Sequence, residues 1–326
     1  MAVQILEAPV FSEEEALSAK KEIEEIIANI ETVIIGKHDK IELIIMSLLA
    51  EGHVLIEDIP GVGKTSLVSA LAKTIDLDYK RIQFTPDVMP SDISGFSIFN
   101  QKTSEFEFRP GAAMSNIVLA DEINRASAKT QSAMLEIMEE RQITVDLNTY
   151  KLPAPFMVLA TQNPIESLGT YRLPEAQIDR FMIKLSLGYP EFENEIDIVL
   201  GSKQAKKEIN YVVKGEDVVK LINLADKVYV SRQVVSYVVQ IVTSTRSHPD
   251  VKLGSSPRGS LALFQLAKAY ALYQGRNYVK PEDIKYLAPF VLAHRLMLSN
   301  AAKTEKRTAE NVIKDILDTV VVPTGV

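Results

Sequence analysis

Apolar positions change their period along the chain, and each change predicts a different kind of element. Ser12, whose hydroxyl can cap a helix, is followed by Glu13–Glu15, acids that suit the positive end of a helix. Ile23, Ile26, Ile27 and Ile30 then recur at helical spacing, and a second helix is predicted from about His38 to Ala50. His53–Glu57 (HVLIE) reads as a short buried strand, followed by a glycine-bearing turn and a helix over Lys64–Ile75. Further strands are predicted at Tyr79–Phe84, Ile117–Ala120, Met157–Thr161 and Ile183–Leu187. Strands alternating with helices imply βαβ units, so an α/β fold with a mostly parallel, five-stranded sheet is expected.

After Gly188-Tyr189-Pro190 the pattern turns almost wholly helical, over Val218–Asp226, Arg232–Ser244, Pro257–Gln274 and Pro281–Ser299. A boundary is therefore expected near Gly188–Glu193, between an α/β domain at 1–190 and an all-helical domain at 191–326. Two segments interrupt the first domain. Gly95–Pro110 carries Phe96, Phe99, Phe106 and Phe108, and Ile143–Leu152 alternates around a polar turn at Asn148. Both read as β-hairpins, the first interrupting the helix after the second strand. Their aromatic residues either pack the hairpin onto its own domain or face a partner.

Composition narrows the function classes. With 326 residues, 46% hydrophobic and 24% charged, the chain can bury a sizeable core without covalent staples. It has no cysteine, which excludes disulfides and thiolate metal sites. The net charge of −7 and a pI near 5.4 disfavour a broad nucleic-acid footprint. Lys203, Lys206 and Lys207 form only a small cluster, read as a solvated helix face. His38, His53, His248 and His294 are scattered without metal-ligand spacing. No basic segment leads into an apolar one at the N-terminus. The longest apolar stretches, Leu43–Ala50 and Val234–Val242, fall short of the roughly 18 residues of a spanning helix. A cytoplasmic protein without a membrane span is expected.

The sharpest chemical signal is Asp58-Ile59-Pro60-Gly61-Val62-Gly63-Lys64-Thr65, followed by Ser66. Apart from Asp58, which stands where a glycine is usual, it fits the phosphate-binding pattern G-x-x-x-x-G-K-[ST]. Gly61 and Gly63 let backbone N–H groups turn around phosphate oxygens, and the helix opening at Lys64 aims its positive end at the same charge. Lys64 is expected at the β/γ phosphates and Thr65 on Mg²⁺. Ile117–Ala120 ends in Asp121-Glu122, an apolar strand delivering two acids. Asp121 is the expected Mg²⁺ ligand through water, and Glu122 the group that polarises the attacking water. Met157–Thr161 leads to Gln162-Asn163, an amide placed to hold that water.

In this order the segments EDIPGVGKTSL, FRPGAAMSNIVLADEINRA, KTQSAMLEIMEERQITVD, ATQNPIE, LPEAQIDRFMIKL and GSSPRGSLAL resemble AAA+ ATPases, and within them the MoxR family, across most of residues 30–300. The resemblance implies an AAA+ P-loop domain with a helical lid, a ring that is commonly a hexamer, and ATP held between neighbours. It matches Asn163 to the family's sensor 1, Arg180 of IDRF to its arginine finger, and Arg258 of SSPRG to sensor 2. Ile34, Ile35 and Gly36 resemble the segment lining the adenine pocket, and they are equally readable as core. Arg125 is either an interface contact or a helix-start charge. The loop Arg125-Ala126-Ser127-Ala128-Lys129 lacks the paired prolines common in the family. The hairpins resemble the helix-2 insert and the hairpin before sensor 1, which often line a ring's pore.

The family implies chaperone-like work on a protein client, often one with a von Willebrand factor A domain, supplied here by a separate polypeptide. The alternatives are the motor subunit of a metal chelatase and an ATP-driven nucleic-acid motor. A non-catalytic nucleotide switch is disfavoured by the intact Lys64, Thr65, Asp121, Glu122 and Asn163.

Overall fold

The computed structural model describes residues 8–59, 61–164, 171, 173–200 and 209–323. Helix α1 (Glu13–Glu31) starts as its sequence requires: the Glu15 N–H donates to Ser12 Oγ at 3.2 Å, and the Glu15 carboxylate accepts from the Ser12 N–H at 2.8 Å. This reciprocal cap satisfies donors that a helix start otherwise leaves bare. The chain continues through α2 (His38–Leu49), β1 (Val54–Glu57), α3 (Lys64–Thr74), β2 (Tyr79–Gln83) and α4 (Pro90–Ser94). A hairpin of β3 (Gly95–Asn100) and β4 (Glu105–Pro110) precedes β5 (Ile117–Asp121) and α5 (Ala128–Glu140). A second hairpin, β6 (Gln142–Val145) and β7 (Asn148–Lys151), leads to β8 (Met157–Gln162), α6 (Glu175–Ile178), β9 (Ile183–Leu185) and α7 (Phe192–Val199).

The central sheet has the order β2-β5-β8-β1-β9, and all its pairings are parallel. Alternation along each strand splits the apolar residues between two cores. Val54 and Ile56, Ile117 and Leu119, and Met157 and Leu159 face α1–α3 and the C-terminal helices. Leu55, Val118, Ala120, Val158 and Ala160 face α4 and α5, where Ile93, Met134, Leu135 and Met138 complete the second core. A parallel sheet covered on both sides needs this near-continuous apolar character.

The C-terminal part contains α8 (Gly215–Asp226), α9 (Arg232–Ser247), β10 (Val251–Leu253), α10 (Pro257–Tyr273), α11 (Pro281–Leu292), β11 (Met297–Leu298), α12 (Asn300–Thr304) and α13 (Ala309–Thr319). Among its described residues it is helical apart from an antiparallel β10–β11 ribbon, which the periodicity did not reveal, and an isolated bridge between Tyr229 and Tyr278. The helix expected to run to Ser299 stops at Leu292, and Ala293–Arg295 forms a single 3-10 turn. Arg295 explains the stop. Its buried guanidinium donates to Asp179 Oδ1 at 2.9 Å, to the Phe181 carbonyl at 2.6 Å and to the Met182 carbonyl at 3.1 Å. Burial pulls its pKa down to about 10, opposed by the Asp179 carboxylate.

The hairpins correct two further details. The chain after β4 does not resume a helix; it makes turns, with Ala112 and Ala113 N–H groups donating back to the Asp92 and Ile93 carbonyls of α4 at 3.0 Å. The second hairpin turns at Asp146-Leu147, ahead of Asn148, with Asp146 in the left-handed region (φ +54°). Phe108 stacks on Tyr150 with ring centroids 4.0 Å apart, joining the hairpins, whereas Phe96, Phe99 and Phe106 are exposed. Among the described residues, no helix is long and apolar enough to cross a membrane. The Lys203, Lys206 and Lys207 cluster lies outside the described residues.

Candidate functional site

The phosphate-binding loop joins the C-terminal end of β1 to α3. Gly61 and Gly63 have φ of +90° and +88°, the left-handed region that residues with a Cβ avoid. A Cβ at either would meet nothing within 4 Å, so the backbone conformation, and not crowding, calls for glycine there. Gly63 caps α3, whose first turn holds Lys64, Thr65 and Ser66 and no acid. Its bare N–H groups and positive end make an anion site. Lys64 Nζ folds back onto the carbonyls of Asp58 at 3.2 Å and Ile59 at 3.1 Å. Val62 is half-buried against the first core, and Pro60 lies outside the described residues.

Asp58 opens the loop with its carbonyl toward Lys64 and its side chain turned the other way. Its buried carboxylate accepts from the Leu187 N–H at 2.5 Å, the Gly188 N–H at 3.3 Å and Ser186 Oγ at 3.1 Å. It thus ties the loop to the segment leaving β9. Across the same segment, Lys37 Nζ donates to the Leu187 carbonyl at 2.6 Å and the Tyr189 carbonyl at 2.8 Å. Ile34 and Ile35 are half-buried, and a Cβ on Gly36 would collide with Asn194 of α7. The predicted adenine segment therefore lies against the 187–194 connection.

The two acids sit at the end of β5, one strand beyond β8. Asp121 is buried; its Oδ1 accepts from Thr161 Oγ1 at 2.6 Å and its Oδ2 from Arg81 at 2.6 Å. Glu122 adopts φ +56°, a strained conformation for a residue with a side chain. Thr161 Oγ1 holds that backbone by accepting from the Glu122 N–H at 2.8 Å. The Glu122 carboxylate is met by Gln83 Nε2 at 2.7 Å and by Arg125 Nε at 3.2 Å. Arg125 thus contacts the acid of its own chain. Asn163 follows β8 and is buried; the Asp58 N–H donates to the Gln162 carbonyl at 3.1 Å, which sets Asn163 beside the start of the phosphate loop. Lys64, Thr65, Asp121, Glu122 and Asn163 thus gather at the C-terminal ends of three adjacent strands, where open α/β sheets bind ligands. Arg81, Gln83 and Thr161 belong to this cluster and were missed from the sequence. Their signal was position alone, at the same ends of flanking strands.

Arg180 and Arg258 are brought together elsewhere. Arg180 follows α6, and Arg258 lies in the first turn of α10. Arg180 Nη1 is 3.1 Å from Glu139 Oε2 and donates to the Leu135 carbonyl at 2.8 Å. Arg258 Nη2 pairs with the other oxygen of Glu139. Both line a cleft of about 250 Å³ with Gly52 and His53, which precede β1, and Met182, which precedes β9. They therefore stand at the N-terminal ends of these strands, with the phosphate loop at the opposite end of β1.

Comparison with known proteins agrees with this fold. Residues 53–183 match the family described as ATPase family associated with various cellular activities (AAA), and residues 243–316 match the AAA lid domain. Fold and site thus define a P-loop ATPase of the AAA+ class. The chain is 54% identical over 301 residues to the uncharacterized protein YeaC of Bacillus subtilis, covering 91% of this chain and 93% of that one. It is 40% identical over 326 residues to Chaperone MoxR1 of Mycobacterium tuberculosis, with 97% and 86% covered. The crystal structure of a candidate ATPase from Cytophaga hutchinsonii superposes with a TM-score of 0.89 at 40% identity, covering 96% of this chain and 98% of that one. The chain belongs to the MoxR family of AAA+ ATPases, and its activity is the hydrolysis of ATP.

Proposed function

We propose that the protein works as a ring, commonly a hexamer in its family, in which the phosphate loop of one subunit and the arginines of the next share one ATP, and that hydrolysis remodels or activates a protein partner. One observation carries this reading. Arg180 and Arg258 lie at the opposite end of β1 from Lys64, and a four-residue strand rising ~3.3 Å per residue separates the two ends by ~13 Å. That separation favours action on a neighbour's phosphate over action on their own.

In this reading the backbone N–H groups of Gly61–Thr65 and the Lys64 ammonium take the phosphates, Lys64 leaving the Asp58 and Ile59 carbonyls to do so. Ile34, Ile35 and Gly36 take the adenine. Thr65 and Asp121 would hold Mg²⁺, Asp121 through water; these all-oxygen donors suit a hard cation that keeps most of its waters. When bound, the ion neutralises charge on the β and γ oxygens. Glu122 polarises the attacking water and Asn163 orients it. Arg180 and Arg258 stabilise the charge that spreads over the γ oxygens as the bond breaks.

A protein client is favoured by the word chaperone in the name of the Mycobacterium tuberculosis relative. It is favoured also by the exposed Phe99–Phe106 pair, with ring centroids 5.3 Å apart near the tip of the first hairpin. A separate polypeptide with a von Willebrand factor A domain is the partner we would try first. MgATP turnover per protomer, measured against protein concentration, tests the shared site. Turnover that rises with concentration and is abolished by Lys64→Ala and by Arg180→Ala supports it. A flat rate with an active Arg180→Ala variant defeats it.

A further inference from the structure

We infer that Glu139 is a positioning residue, presenting Arg180 and Arg258 as a matched pair to one phosphate. The inference rests on the shared-site reading above. Glu139 lies in the last turn of α5, away from the phosphate loop of its own chain. Its two oxygens divide between the two arginines: Oε2 faces Arg180 Nη1 at 3.1 Å, and Oε1 pairs with Arg258 Nη2. The guanidinium groups come from different parts of the fold, one after α6 and one on α10, so their side chains reach the same place from separate backbones. Two cations side by side repel; a carboxylate between them removes that repulsion and sets their separation.

A guanidinium carries five N–H donors on three nitrogens. Glu139 engages one nitrogen of each arginine, which leaves donors on the other two to reach a phosphate without breaking the clamp. The backbones carrying the arginines are fastened as well. Asp179, next to Arg180, accepts from Ser256 Oγ at 2.8 Å, and Ser256 caps α10 two residues before Arg258. The other Asp179 oxygen binds Arg295 at 2.9 Å. Asp179 therefore joins the two segments while Glu139 aligns their side chains. Half-exposed ion pairs add little stability, so the value of this one lies in geometry.

The test uses the full chain. MgATP turnover, KM for ATP and thermal midpoint are measured for the parent, Glu139→Ala, Glu139→Gln, Arg180→Ala and Arg258→Ala. Glu139→Ala should lower kcat about tenfold or more, with KM and midpoint close to the parent values. Glu139→Gln, whose amide has one acceptor oxygen in place of two, falls between them. If Arg180→Ala is inactive while Glu139→Ala equals or exceeds the parent, Glu139 does not position the pair and the inference fails alone. If Arg180→Ala keeps parent turnover, the shared site fails first and takes the inference with it.

Discussion

Thr161 donates its hydroxyl to Asp121 Oδ1 at 2.6 Å, from the strand next to the one that ends in the acid. Thr161 Oγ1 also accepts from the Glu122 N–H at 2.8 Å, so one fully buried hydroxyl fixes both the Asp121 carboxylate and the strained backbone that aims Glu122.

Replacing that hydroxyl by a methyl group keeps the volume and strips both bonds. Thr161→Val should therefore cost about 1–3 kcal/mol, the penalty for leaving buried polar groups unpaired. It should also lower kcat, because Glu122 loses its backbone anchor. Thermal unfolding and steady-state turnover check the two effects. A variant with parent stability and parent turnover would remove Thr161 from the site.

Asp58 allows a cleaner separation of structure from binding. Asp58→Gly restores the residue usual at this position of the loop and releases the N–H groups of Leu187 and Gly188. The expected result is a loss of about 1–3 kcal/mol in stability with ADP affinity nearly unchanged, since the Asp58 carboxylate is turned to the β9 connection. Calorimetric titration with ADP reads the affinity. A large loss of affinity at intact stability would return Asp58 to the phosphate cradle.

His53 makes stability sensitive to acid. Its Nδ1 accepts from the Val158 N–H at 3.0 Å, so its proton sits on Nε2 and is donated to the Met138 carbonyl at 3.0 Å. Burial depresses its pKa to about 4 from 6.5. The unfolded chain therefore binds a proton below pH ~6.5 that the folded chain refuses until pH ~4. About 3 kcal/mol of stability, present above pH ~6.5, should be lost progressively as the pH falls through this window. Thermal midpoints at pH 7 and pH 5 should differ more for the parent than for His53→Gln. Equal differences would exclude His53 as a source of the acid sensitivity.

Exposure at the first hairpin predicts a different outcome. Phe99 and Phe106 are 50% and 74% exposed, so Phe99→Ser with Phe106→Ser should shift stability by no more than about 1 kcal/mol in total. A loss of several kcal/mol, seen in chemical denaturation, would mean that these rings pack the hairpin onto its own chain.

The middle of the sheet was legible because β1, β5 and β8 are short apolar runs set between helical stretches, as parallel strands buried on both faces are written, whereas the edge strand β2 (YKRIQ) is largely polar and exposed. Lys64, Thr65, Asp121, Glu122 and Asn163 were legible because each sits at a fixed offset from a strand end. Arg81, Gln83 and Thr161 were not, because their roles arise only from sheet order, which sets β2 and β8 on either side of β5. Glu139 was hidden for a similar reason: in MEERQ it is one acid of two on a helix end, and only the packing of α6 and α10 singles it out. The β10–β11 ribbon was missed because strands of three and two residues carry no period to detect.

An active site built from two chains can be tested by mixing two inactive variants. Lys64→Ala removes the phosphate lysine and keeps Arg180; Arg180→Ala does the reverse. If the site is shared, interfaces that join the intact phosphate loop of the second variant to the intact arginines of the first should recover ATP hydrolysis on mixing, although each variant alone is inactive. A mixture as inactive as its components, with mixed rings shown to form, would mean that the site is not shared between chains.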